Sequence, residues 1–129
     1  MVHLILGEET VPCRTVLYHY ASEEAIRTIK TERNIRKKYA KGLKGDGVYF
    51  TSMSPHGQAK SSIAGGEQFV SGGKADYVIK VTIRRDVLMR KENSNGREVF
   101  CFSLGDYHLC YRHMNDVEYL SFEEAASMI

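Results

Sequence analysis

Two short stretches carry residue types suited to holding a ligand. The first is Gly45-Asp46-Gly47-Val48-Tyr49-Phe50-Thr51-Ser52. Its two glycines allow backbone angles that other residues resist, and Val48, Tyr49, Phe50 and Thr51 all favour strand. Successive strand side chains point to opposite faces, so of Tyr49 and Phe50 one enters the core while the other faces a cleft. A tyrosine ring at a cleft wall beside two glycines suits a flat aromatic ligand. The second stretch is Thr15-Val16-Leu17-Tyr18-His19-Tyr20, also rich in strand formers. In a strand His19 shares a side with Leu17, and Val16, Tyr18 and Tyr20 lie opposite. Taken singly, such a histidine is more often a half-buried hydrogen-bonded group and such a tyrosine a core ring. Taken together, the two stretches favour a site.

The elements that must position them follow from the pattern around them. Val2-His3-Leu4-Ile5-Leu6 reads as a short first strand or a mobile start, and Glu8 to Pro12 as a polar connection. Ser22-Glu23-Glu24 opens a helix, with serine as cap and two acids at the positive end of the helix dipole. Ala25, Ile26 and Ile29 are its buried stripe, and its end is expected near Thr31. Arg36 to Gly42 reads as an exposed loop, with Ile35 as an anchor before it. Ser54-Pro55 opens a second helix, running through Gln58, Ala59 and Ile63 to Gly65-Gly66.

Asp76 to Ile83 is the strongest strand, with Tyr77, Ile79, Val81 and Ile83 on one face. Val87 to Arg90, an Asn95-Gly96 turn and Val99 to Ser103 form a hairpin. Tyr107 to Tyr111 and Val117 to Leu120 are two more short strands. Ser121-Phe122-Glu123-Glu124 is a capping box that opens a terminal helix. The chain stops soon after, as expected of a piece cut from something longer. Helices come early and strands late, without strand–helix alternation, so the class is α+β with a mainly antiparallel sheet.

Other chemistries find less support. His3, His19, His56, His108 and His113 have no ligand spacing with the cysteines, so no metal site is expected. Cys101 and Cys110 sit in apolar strand contexts and read as inert core thiols. There is no phosphate-binding loop of the nucleoside-triphosphatase kind. From Arg27 to Lys44 there are eight basic residues against one acid, Glu32. That run is a solvated face, or a patch drawing a phosphate-bearing ligand or nucleic acid; with only Tyr39 among the cations it is a poor stacking platform. The Ser54-Pro55-His56-Gly57 helix start could hold a phosphate on its N–H groups.

The totals set the frame. At 129 residues the chain is read as one domain, 1–129. Its 43% apolar and 26% charged residues are those of a water-soluble globular domain. Apolar runs fall short of the ~18 residues of a membrane span, so no membrane partner is expected. Cys13, Cys101 and Cys110 are an odd number without close spacing and no secretory signal is visible, so reduced thiols and a cytoplasmic setting are expected.

Leu17-Tyr18-His19-Tyr20-Ala21-Ser22, then Gly45 to Ser52, then a later strand carrying an acid, resembles the ADP-ribosyltransferase superfamily. The likeness is to its diphtheria-toxin and poly(ADP-ribose) polymerase side, and most of all to the small toxins with a His-Tyr-Asp signature. It covers residues 15–83 well and the rest loosely. The resemblance implies a split antiparallel sheet with short helices and NAD, as substrate rather than resident cofactor, held between the halves. It implies that His19 bonds the adenosine-side ribose and that the backbone of Tyr20 clamps the nicotinamide amide. Tyr49 would stack on the nicotinamide ring, with Ser52 close by. An acid would stabilise the oxocarbenium-like centre left as nicotinamide departs.

Two acids fit, Glu98 at the head of Glu98-Val99-Phe100-Cys101-Phe102 and Asp106 after Gly105; Asp76 comes too early in the order. The second aromatic that the polymerases carry falls on Lys60 here, which leaves one wall of the site to another residue. The activity implied is mono-ADP-ribosyl transfer, a glycosyltransferase reaction, to a protein or nucleic-acid acceptor. The alternatives are a catalytically silent NAD-binding or ADP-ribose-binding module of the same fold, and a basic nucleic-acid-binding domain.

Overall fold

The computed structural model describes residues 8–37, 47–55, 73, 75–94, 97–103, 105–109 and 115–127. Its elements are β1 (Glu8–Val11), β2 (Val16–Ala21), α1 (Glu23–Glu32), β3 (Asn34–Ile35), β4 (Val48–Thr51) and β5 (Tyr77–Ile83). There follow β6 (Val87–Ser94), β7 (Arg97–Phe102), β8 (Tyr107–His108), β9 (Asn115–Ser121) and α2 (Phe122–Ser127). Seven strands form one antiparallel sheet in the order β1-β6-β7-β4-β2-β5-β9, and β3 pairs with β8 beside it. The class is therefore α+β and mainly antiparallel.

The sheet has one weak seam. β2 and β5 share six register pairs, β5 and β9 seven, and β4 and β7 four. Between β4 and β2 there is a single pair, Tyr18 with Thr51. The sheet is thus two wings, β1-β6-β7-β4 and β2-β5-β9, touching at one rung.

Alternation in the sequence explains which face each wing buries. Leu17, Ile79, Val81 and Ile83 are each no more than 1% exposed, and register places Leu17 opposite Val81. On the other wing Val48, Phe50, Phe100, Met89 and Val11 belong to the same core. Helix α1 covers this face with Ile26 and Ile29. Ser22 caps it through the Ala25 N–H, and Arg33 closes it in a left-handed conformation with its N–H on the Ile29 carbonyl. Tyr107 of β8 meets both Phe50 and Phe102 edge-on, at 5.1 Å between centroids in each case, geometry that aromatic quadrupoles favour.

The capping box at Ser121 forms in both directions, Ser121 N–H to Glu124 Oε1 and Glu124 N–H to Ser121 Oγ. The hairpin forms too, with Ser94 opposite Arg97. One element differs. Glu8 to Val11, expected as a connection, is strand β1, paired with Val87 to Arg90 of β6. Its backbone completes an edge while Glu9 and Thr10 stay exposed. The Tyr107 strand is only two residues long in the described chain. The expected strand at Val2 to Leu6, the helix after Ser54-Pro55, the Asn95-Gly96 turn, Lys60 and Cys110 lie outside the described residues.

Candidate active site

The seam is where the two sequence stretches meet. β2 supplies His19 and β4 supplies Tyr49, and His19 Nδ1 lies 2.7 Å from the Tyr49 carbonyl oxygen. A carbonyl only accepts, so Nδ1 carries the proton and donates. In the neutral ring Nε2 is then the acceptor nitrogen. The imidazole also packs edge-on to Phe50, with centroids 5.8 Å apart.

The rung between Tyr18 and Thr51 fixes the faces. Paired residues share a face, so Tyr18, Thr51 and Tyr49 lie on one side, and His19, Phe50 and Ser52 on the other. Leu17 shares the side of His19, as alternation requires. The expectation that the imidazole and the Tyr49 phenol line one groove is corrected here. Tyr49 meets His19 through its backbone, and its ring points to the opposite face. The pleat is the physical reason: the residue of β4 whose ring shares the His19 side is Phe50, and it is buried at 2% exposure.

The acids separate cleanly. Glu98 heads the core-facing side of β7, in phase with Phe100, which is the register partner of Phe50. Its Oε1 accepts from Ser52 Oγ at 2.9 Å and its Oε2 lies 2.9 Å from Lys91 Nζ. Its backbone carbonyl accepts from Thr51 Oγ1 at 3.0 Å. Hydrogen bonds from Lys91 and then Ser52 hold its carboxyl below the usual range for a glutamate. Glu98, Ser52 and His19 therefore stand on one face, at the end of β4 and beside the seam.

Asp106 is engaged elsewhere. Its Oδ1 accepts from the Lys37 backbone N–H at 2.7 Å and its Oδ2 from Asn34 Nδ2 at 3.2 Å. It pins the turn after β3 onto β8, and the hydrogen bonds from the Lys37 N–H and then from Asn34 hold its carboxyl below the usual range for an aspartate. Asp76 has its backbone carbonyl on the Phe122 N–H, tying β5 to α2.

The remaining candidates are placed as follows. Tyr20 lies beyond the single rung, where no further ladder pair joins β2 to β4 among the described residues. Its hydroxyl donates to the Met53 carbonyl at 2.9 Å, and burial pushes the phenol well above its ordinary value. Of the basic run, Arg27 pairs with Glu23, Arg36 pairs with Glu32, and Lys30 sits 5.5 Å over the Tyr119 ring. Arg27 and Arg36 are partnered by acids of α1 and Lys30 by a ring of β9, rather than gathered into a patch. Residues 38–46 lie outside the described chain.

Sequence reasoning missed Lys91. The signal lay in the β6–β7 hairpin, whose register sets Lys91 opposite Phe100, hence diagonal to Glu98 on the same face.

The chain is α+β, and an imidazole and a carboxylate stand on one face of its antiparallel sheet, His19 on β2 and Glu98 on β7. A family model described as "HYD1 signature containing ADP-ribosyltransferase", a toxin family, matches residues 17–103. This chain belongs to that ADP-ribosyltransferase family. The matched span includes His19, Tyr49, Ser52 and Glu98 and ends before Asp106. No curated protein and no solved structure matches the chain.

Proposed function

We propose that the protein is an NAD-dependent mono-ADP-ribosyltransferase that releases nicotinamide and transfers ADP-ribose to a macromolecular acceptor. The observation that carries this reading is the carboxylate of Glu98, fixed by Ser52 on the face and at the seam where His19 stands. Membership of the family supplies the reaction class.

In this reading NAD lies along the seam, as in the split-sheet arrangement of the wider superfamily. The His19 Nδ1–H is already engaged with Tyr49 O, so Nε2 presents an acceptor to a ribose hydroxyl. The Tyr20 backbone, past the last rung, meets the nicotinamide amide. Tyr49 acts through the carbonyl that orients His19. Glu98 receives the nicotinamide ribose.

The ribosyl C1–nitrogen bond breaks with its electron pair leaving on nicotinamide, which departs neutral. The cationic ribosyl centre is stabilised by the Glu98 carboxylate more than the ground state is. The acceptor nucleophile then bonds to C1 and loses its proton. Glu98 is the acid of choice because both Asp106 oxygens already hold the β3–β8 turn. The acceptor is a protein or nucleic acid, and the setting is a toxin-like effector working in the cytoplasm.

The test is incubation of the folded protein with labelled NAD and cell lysate. Label on a macromolecule, with nicotinamide released in step, is the expected result. Neither transfer nor NAD hydrolysis by a protein of native fold would overturn the enzyme reading, and calorimetry would then show whether NAD binds unchanged.

A further inference from the structure

Glu98 is held from two sides. Ser52, just past the end of β4, takes Oε1 and Lys91 of β6 takes Oε2, each at 2.9 Å. A second carboxylate stands behind the lysine, with Glu9 Oε2 of β1 at 3.9 Å from Nζ. Register explains the row. Lys91 faces Phe100, two residues from Glu98, and Glu9 faces Met89, two residues from Lys91. Both ion pairs are thus diagonals on the core-facing side of the sheet. The order across the wing is Glu9, Lys91, Glu98, Ser52, on β1, β6 and β7 and just past the end of β4.

Stability does not account for this row. The Lys91 and Glu98 side chains are 32% and 38% exposed, and ion pairs in water contribute little to folding. What the row does is fix orientation and charge. A lone glutamate at a strand end samples several rotamers. With one oxygen on a hydroxyl and the other on an ammonium it has one. The groups facing Glu98 are Lys91 from β6 and Ser52 from the end of β4, with Glu9 of β1 acting on it through Lys91.

We propose that Lys91 is a positioning residue for the transfer reaction: it holds the Glu98 carboxylate in one orientation and in its ionised form. Glu9 keeps part of the lysine's charge on the far side. The inference rests on the proposed transferase reading and adds to it a residue outside the His-Tyr-acid signature. The direction of the Glu98 and Lys91 acidity shifts agrees with it: each is displaced toward its charged form, first by the hydrogen bond to the other.

The experiment measures nicotinamide release against pH for the wild type, Lys91→Met, Lys91→Arg, Glu9→Gln and Glu98→Gln. The Glu98 carboxyl titration is read separately by NMR without substrate. Lys91→Met is expected to lower kcat with little change in KM and to move the acid limb up by about one pH unit. That is the low end of the effect of a neighbouring opposite charge, as suits an exposed pair. The NMR titration moves in parallel, Lys91→Arg restores both, and Glu9→Gln leaves the acid limb where it is or moves it lower.

A wild-type acid limb and titration in Lys91→Met, with Glu98→Gln inactive, overturns the role of Lys91 alone and leaves the transferase reading standing. Full activity in Glu98→Gln overturns the role of Glu98 and with it that of Lys91. No nicotinamide release by the wild type overturns both the inference and the reading beneath it.

Discussion

His19 Nδ1 and the Tyr49 carbonyl oxygen face each other at 2.7 Å across the β4–β2 seam of the sheet, which has a single ladder rung among the described residues. Where two strands part, backbone carbonyls lose their ladder donors, and a buried unpaired carbonyl is costly. Here a side chain from one wing supplies the donor to the other. The same bond settles which ring nitrogen carries the proton.

His19→Ala tests this directly. Loss of one hydrogen bond to a substrate hydroxyl is worth on the order of tenfold in kcat/KM. The variant also leaves the Tyr49 carbonyl without its imidazole donor and loses about 1 kcal/mol of stability. Steady-state kinetics and chemical unfolding measure the two separately. His19→Asn keeps a donor of shorter reach and should recover part of the stability without the rate.

Glu98→Gln and Asp106→Asn separate the two acids. Glutamine keeps the size and shape of Glu98 but not its charge, so nicotinamide release should fall ~10²–10³-fold with the fold intact, the usual size for one transition-state contact. Asp106→Asn should leave the rate unchanged and lower the melting temperature slightly, because Asp106 ties Lys37 and Asn34 to β8. A rate loss confined to Asp106→Asn would assign the acid the other way.

Much of this fold is legible in the residues. Alternation in Tyr77 to Ile83, the Ser22 cap, the Ser121 capping box and the Asn95-Gly96 hairpin are local signals, and each element they imply is present. Strand β1 is not legible, because Glu8-Glu9-Thr10-Val11 has one buried residue and takes its conformation from pairing with β6. The site divides along the same line. That His19 and Tyr49 belong together follows from two recognisable segments. That they meet ring to backbone depends on the Tyr18–Thr51 rung, a non-local register no local pattern encodes. Choosing Glu98 over Asp106 required knowing where Asn34 and Ser52 lie.

Gly47 makes a sharp structural prediction for the strand that carries Tyr49. Its φ is +157°, and a Cβ there would come 2.7 Å from the Phe102 carbonyl oxygen and collide with Cys101 Sγ. Both are held in strand β7, and Cys101 is fully buried. Gly47→Ala should therefore cost ~1–3 kcal/mol, as overpacking of a close-packed core does, and loosen the pairing of Val48 with Phe102. Thermal unfolding checks the cost. Gly47→Ala with Cys101→Ala should recover only part of it, since the backbone carbonyl remains.

Tyr107 links the aromatic core to β9 and makes the fold sensitive to alkali. Its hydroxyl donates to Asn115 Oδ1 at 2.6 Å, and Asn115 Nδ2 donates to the His108 carbonyl at 3.2 Å. Asn115 is 3% exposed and Tyr107 4%, so this is a buried polar pair whose bonds must all be made. Burial pushes the Tyr107 phenol up to about 12, against an ordinary value of 10. The raised value means the fold favours the neutral phenol. The stability it contributes is complete below about pH 10, where the unfolded phenol is still protonated, and falls away as pH rises from there through about 12. Unfolding free energy should decline over that window with a phenolate absorbance change tied to unfolding. Tyr107→Phe removes this part of the alkaline loss, at a cost of about 1–3 kcal/mol at neutral pH because Asn115 Oδ1 is left without a donor. Asn115→Leu in the Tyr107→Phe background replaces both partners by apolar groups and should recover much of that cost, which a role of Tyr107 in packing alone would not give.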